Sequence, residues 1–162
     1  MTEGKSFDKA RTYASKIERR ERANSKVFQE AYKKINHKKE ILKKIHKKLF
    51  KKYSNEKVKM WVVNGEVVRD LFFLDFTEGG NDQIYSFVPR GEIWLDDDLS
   101  SKERKFVLLH ELHERNLIKK GWTYDVGERA AHFSAQRIEH FCRRYPQFID
   151  IKIGEELKKF KL

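Results

Sequence analysis

The sequence predicts an α+β protein: a long basic N-terminal helix or helical hairpin, an antiparallel β meander of about four strands, then two packed helices. Three observations lead there. Apolar residues recur at 3-4 spacing through residues 7–49; short alternating runs separated by turn signals fill residues 58–96; and residues 106–115 form an apolar helical pattern broken by ionisable side chains.

In the first segment, Phe7, Ala10, Ala14, Ile17, Phe28, Ala31, Ile35, Leu42, Ile45 and Leu49 keep one register, the seam of a coiled coil. Glu21, Asn24 and Lys38 interrupt it. A continuous helix over residues 6–53 would be roughly 70 Å long at about 1.5 Å per residue. It must protrude, pair with a second copy as a homodimer, or bend, and Asn24-Ser25 and Asn36-His37 are the expected bend sites.

Residues 1–57 hold 19 basic and 7 acidic side chains, +12, while the remaining chain is −1. The expected division is therefore a basic helical arm over 1–57 and an α+β domain over 58–162. Lysine pairs at 33/34, 38/39, 43/44, 47/48 and 51/52 suit contact with phosphates, so nucleic acid is an expected partner. A solvated lysine-rich helix is the alternative. Cys142 is the single cysteine, which excludes an intrachain disulfide and fits a reducing compartment. No apolar run approaches the roughly 18 residues of a membrane span and the N-terminus has no signal-like apolar region. The expectation is a soluble, cytoplasmic protein with no membrane partner.

In the second segment, Asn64-Gly65 between runs 58–63 and 66–76 reads as a type I′ hairpin. Gly79-Gly80-Asn81-Asp82 makes the next turn, before run 83–88. Pro89-Arg90-Gly91 then leads into a fourth strand over residues 92–96. Ser100 and Glu103 form a capping box, and Lys119-Lys120-Gly121 is a helix C-terminal signal. A second helix is expected from about Asp125, with Glu128 three residues on, to about Arg144 before Pro146. Ala131, Ala135, Ile138 and Cys142 form its packing stripe, with His132 and Glu139 beside it. The tail alternates weakly at Phe148, Ile149, Ile151 and Ile153, with one or two helical turns from Glu155.

Residues 106–115 read Phe-Val-Leu-Leu-His-Glu-Leu-His-Glu-Arg. At 100° per residue, Phe106, Val107, His110, His113, Glu114, Leu117 and Ile118 share one broad face, and Leu108, Leu109 and Leu112 lie opposite. A helix apolar nearly all round is buried, and uncompensated imidazole and carboxylate groups there cost several kcal/mol each. A metal ion is the economical compensation. His110 and Glu114, four apart, stack on one face, and a short turn at residues 121–124 returns His132 beside them. Two His and one Glu with a fourth position open is a catalytic zinc ligand set, although another divalent metal would also fit. Glu111, beside the first ligand, is placed to take a proton from the bound water.

Other readings stay open. His113 is an alternative ligand or a surface residue. Glu139 completes the metal shell or orients His132 through a hydrogen bond. Tyr124 stabilises an oxyanion or acts as a hydrophobic staple. Asp96-Asp97-Asp98 binds a cation or simply favours the following helix dipole. His37, His46 and His140 read as surface residues.

A β meander, a helix with His-Glu-x-x, and a further helix supplying a third ligand resemble the zincin metallopeptidase fold in its minimal, gluzincin-like form. The likeness covers residues 58–144. Zincins carry HExxH, whereas this chain reads HExxE, with Glu114 at the second His and His132 where a gluzincin places its Glu. The string His-Glu-Leu-x-Glu, then Tyr124, Ala131-His132, Ala135 and Glu139, is also similar to small zincin-like proteins of phages and other mobile elements.

The expected function is a zinc-dependent hydrolase, metallopeptidase-like, that acts on a peptide or protein with Glu111 as general base. Strand addition to residues 92–96 would hold the substrate. The alternatives are a nucleic-acid-binding protein or metal-dependent nuclease whose basic helix contacts phosphates, and a coiled-coil assembly factor. The metal would then staple two helices.

Overall fold

The computed structural model describes residues 39–159. The seam positions Phe7 to Ile35 lie outside the described residues, as do both expected bend sites. The described chain is a mixed α+β fold with five α-helices and a four-stranded sheet. In order these are α1 (Lys39–Ile45), β1 (His46–Leu49), β2 (Lys59–Val63), α2 (Gly65–Leu71), β3 (Gly79–Asn81), β4 (Glu92–Asp96), α3 (Ser101–Lys119), α4 (Ala131–Arg144) and α5 (Ile149–Lys158). Short 3-10 turns occupy Lys51–Tyr53 and Pro146–Phe148.

The sheet order is β1-β2-β4-β3. β1 and β3 run antiparallel to their neighbours, but β2 and β4 are parallel, with Met60 opposite Ile93 and Val62 opposite Leu95. The sheet is thus mixed, which corrects the expected meander. A parallel pair needs a crossover rather than a hairpin, and residues 64–91 supply it. Asn64-Gly65 accordingly starts a helix: the Asn64 side chain accepts the Val67 amide proton at 3.1 Å as the N-cap of α2. Run 83–88 forms turns rather than a strand.

The aspartates at the end of β4 and just after it lock this helix in place. Asp97 Oδ1 accepts from the Gly65 amide at 3.0 Å, and Arg69 reaches Asp96 at 2.6 Å and Asp98 at 3.3 Å. A Cβ on Gly65 would collide with the Asp96 carboxylate, so only glycine permits this close approach. Asp97 also pairs with Lys47 at 2.6 Å. All three carboxylates are engaged by protein cations or amides, in favour of a structural role for the cluster.

Near residue 45 the arm changes character. The expected helix ends at Ile45, which is fully buried, and His46–Leu49 becomes an edge strand. Tyr53 packs into the main core. The boundary expected at residue 57 therefore falls inside a packed unit. Lys43, Lys44, Lys47, Lys48, Lys51 and Lys52 remain exposed, and charged side chains on an edge strand discourage pairing with other chains. His46, expected at the surface, instead stacks on Trp61 at 4.1 Å and hydrogen-bonds Glu92 at 2.8 Å.

Alternation along the strands divides the core. Met60, Ile93 and Leu95 face α3, α4 and α5 and pack with Phe106, Leu108, Leu109, Leu112, Cys142 and Ile153. Val63 and Trp94 face the other way, against Ile45, Val68, Phe72, Phe76 and Phe87. Full burial of each such side chain stabilises the fold by about 1.5–3 kcal/mol, so a sheet covered on both faces holds α3 firmly.

α3 begins where the capping signal expects it: Ser100 Oγ accepts the Glu103 amide proton at 3.2 Å. The Glu103 carboxylate goes to Arg143 at 2.7 Å instead of closing the box. Gly121, at φ 89°, ends the helix region in the left-handed conformation that favours glycine. α4 starts at Ala131, six residues after the expected Asp125, with no side-chain cap on Ala130. Residues 123–130 form a closed turn instead, in which Thr123 bonds Arg129 and Ala131 through the backbone. α5 runs Ile149–Lys158 and replaces the weakly alternating tail with a full helix.

Candidate metal centre

Two helices build the site. His110 and Glu114 lie one turn apart on α3, and His132 is the second residue of α4. The small stripe of α4 sets their separation, because Ala131, Ala135 and Cys142 are fully buried. The turn before α4 fixes the approach through a backbone hydrogen bond from His132 N to Tyr124 O at 2.8 Å.

The three side chains converge, with one ligand atom from each within 4.8 Å of the others. His132 Nδ1 is 2.9 Å from Glu114 Oε2, His110 Nε2 is 3.5 Å from the same oxygen, and the two imidazole nitrogens are 3.3 Å apart. Bonds of about 2.0 Å arranged tetrahedrally give ligand-to-ligand edges of about 3.3 Å, so the spacing fits a zinc-sized ion. The outer hydrogen bonds agree. Glu139 is an acceptor when ionised, so His110 Nδ1 donates to it at 2.8 Å and turns the Nε2 lone pair toward the cluster. His132 Nε2 lies 3.2 Å from the Gln136 amide, which leaves Nδ1 facing Glu114.

Glu111 shares the same cleft from the sheet side. Asn81, the last residue of β3, donates to Glu111 Oε2 at 2.8 Å and to Glu114 Oε1 at 3.1 Å. Gly79 makes room: a Cβ there would lie 2.9 Å from Val107 and 3.5 Å from the Glu111 side chain. The cleft measures about 410 Å3 and is lined by Asp75, Glu78, Tyr85, Tyr124 and Gln136 together with the cluster itself.

Crowded carboxylates shift one another. Burial raises the Glu111 carboxyl to about 8, with the Glu114 charge adding to it and His110 and Asn81 opposing. Burial pulls the His110 imidazolium down, but Glu114 and Glu139 outweigh it and raise it to about 10. Burial would also raise Glu114 and Glu139, yet their imidazole partners hold both below the usual value.

The remaining candidates separate. Glu139 orients His110, not His132, and Arg143 Nε holds its other oxygen at 2.8 Å. Tyr124 flanks His132 with ring centroids 5.0 Å apart. His113 points away from the cluster, to Glu156 at 2.8 Å and Ser134 at 2.9 Å. His140 is exposed. Sequence reasoning passed over Asn81, which the Gly-Gly-Asn-Asp string presents as a turn residue, and Gln136, which sits one turn after His132.

His113 instead ties α5 to the site helix. Burial raises Glu156, but His113, Lys159 and Asn116 hold its carboxyl down at about 2 against an ordinary 4.5. A depressed carboxylate contributes stability that is present above pH 4.5 and lost as pH falls toward 2. His113→Ala should cost about 2 kcal/mol at pH 7, since it removes a hydrogen bond to a buried charge. It should cost less near pH 2.5, and urea unfolding at both pH values checks this; an equal cost at both would exclude the linkage.

No family model matches the chain, and no match is found among the curated proteins or the solved structures.

Proposed function

We propose that His110, Glu114 and His132 hold one zinc ion and that the chain is a zinc-dependent hydrolase of peptide bonds, with Glu111 as its general base. The observation that carries this reading is the convergence of three ligand atoms, 2.9 to 3.5 Å apart, from two helices beside the buried Glu111. A bound zinc ion supplies Lewis acidity, which lowers the pKa of water toward neutrality and polarises a carbonyl. The protein does the rest. Glu111 accepts a proton from the attacking water and returns it to the leaving amine. Asn81 keeps the Glu111 and Glu114 carboxylates apart and oriented, and Glu139 fixes the His110 ring.

The cleft favours an acyl substrate over a phosphodiester. Asp75, Glu78, Glu111, Glu114 and Glu139 line it, and no Lys or Arg does among the described residues, so a polyanion would meet repulsion there. The exposed lysines of residues 43–52, outside the cleft, are the surface suited to phosphate contact. Strand addition to β4 is not available, because β4 lies between β2 and β3. The test is hydrolysis of an unfolded protein by wild type, by metal-stripped protein and by Glu111→Gln. Turnover that survives both treatments, or a wild type inert with zinc bound, contradicts the reading.

A further inference from the structure

We infer that the outward face of α4 binds single-stranded nucleic acid, an interaction that does not depend on the metal centre. α4 buries Ala131, Ala135 and Cys142 and turns His132 and Glu139 toward Glu114 and His110 of α3. At 100° per residue the opposite side carries Phe133, Arg137, His140 and Arg144, all exposed, with Phe141 on its flank. Past the end of the helix, Phe141 gathers Tyr145 and Phe148, with ring centroids 5.2 and 5.6 Å away. Even with these contacts, Phe133 is 48% exposed, Phe141 and Tyr145 42%, and Phe148 38%. Much of each ring therefore stays open, and apolar side chains left in water together mark an interaction surface.

Charge chooses the partner. Arg137 and Arg144 pair with no carboxylate among the described residues, and Arg144 lies over the Tyr145 ring at 5.9 Å. Arg143, by contrast, is held by Glu103 and Glu139. Phe133, Arg137 and His140 line a groove of about 420 Å3 in which Glu128 is the single acid. At the other end, Lys52 lies 3.7 Å from Asp150, two residues past Phe148, which brings the lysine-bearing segment 43–52 toward the same end of the face. A second copy of the chain would set these arginines against their own kind across a two-fold axis. An acidic peptide would use the arginines and leave the rings uncovered, and a duplex keeps its base faces stacked out of reach. A single strand matches both features, with bases for the rings and phosphates for the guanidinium groups.

Fluorescence anisotropy with the full chain tests this at about 0.1 M salt. The probes are a dye-labelled oligo-dT and a labelled duplex of equal phosphate count, and oligo-dT is expected to bind more tightly. Phe133→Ala with Phe141→Ala should weaken oligo-dT about a hundredfold, roughly tenfold per lost stacking contact. Duplex binding should not change, because the lysines carry it. Arg137→Gln with Arg144→Gln should weaken oligo-dT and lower the slope of log K against log salt by about 1.4, about 0.7 per phosphate. No measurable oligo-dT binding, tighter binding of the duplex, or equal oligo-dT affinity in wild type and the phenylalanine variant overturns the inference. With oligo-dT binding unchanged, loss of binding to phosphatidylserine vesicles in that variant would make the face a membrane surface. A fall in solution mass from dimer to monomer, again with oligo-dT binding unchanged, would make it a contact between copies.

Discussion

Glu111→Gln is expected to lower kcat on an unfolded protein substrate by about 10²- to 10⁴-fold, the usual contribution of a positioned general base, with zinc content unchanged. Glutamine has the same shape, and its carbonyl oxygen accepts the Asn81 hydrogen bond that now measures 2.8 Å. What it loses is the ability to take a proton. The substitution also removes a carboxylate from beside Glu114, so the folded state should lose little stability. Michaelis–Menten kinetics beside zinc analysis checks this. Unchanged kcat removes Glu111 from the chemistry, and lost zinc makes it a ligand.

Asp82→Ala should destabilise the protein by about 3–5 kcal/mol, because it removes a two-point carboxylate contact from a buried guanidinium. Arg115 and Asp82 side chains are 1% and 2% exposed, and the carboxylate takes Arg115 Nε at 2.5 Å and Nη2 at 3.1 Å. Asp82 also accepts the Gly91 amide proton at 2.7 Å. The pair joins the end of β3 to α3 beside Asn81 and Glu114, so it anchors both walls of the cleft. Asp82→Leu with Arg115→Met should recover much of the loss, since apolar replacement of a buried pair is often nearly neutral. Urea unfolding of the single and double variants decides: a single loss under about 1 kcal/mol would mean that solvent screens the pair.

The helix side of the fold was legible in the sequence and the sheet side was not. Ser100 with Glu103, and Lys119-Lys120-Gly121, bracket α3 because caps and C-terminal glycine act through adjacent residues. The i, i+4 pair His110 and Glu114 follows from helix geometry alone, and the alanines of α4 announce a close neighbour. Asn64-Gly65 misled because asparagine serves both a type I′ turn and an N-cap. The choice falls to Asp96 and Asp97, some thirty residues on, whose carboxylates seat Gly65 and Arg69. Local pattern cannot carry that information. β1 was hidden for a related reason: its lysines continue the helical spacing of the arm, and only the Trp61 face and Glu92 draw His46 into a strand. Asn81 and the Asp82–Arg115 pair share that character, being long-range contacts between ordinary-looking turn and helix residues.

Zinc content of the protein purified without added metal tests the central claim most directly, measured by elemental analysis in wild type, His110→Ala and His132→Ala. Wild type should hold one zinc per chain after dialysis, and both variants should lose it while circular dichroism shows the helices intact. His110 and His132 come from different helices, 3.3 Å apart at their facing nitrogens, so loss in both would mean that one ion bridges α3 and α4. A metal-free wild type after equilibration with zinc, or full occupancy in His132→Ala, would contradict the assignment of His110, Glu114 and His132 as a metal centre.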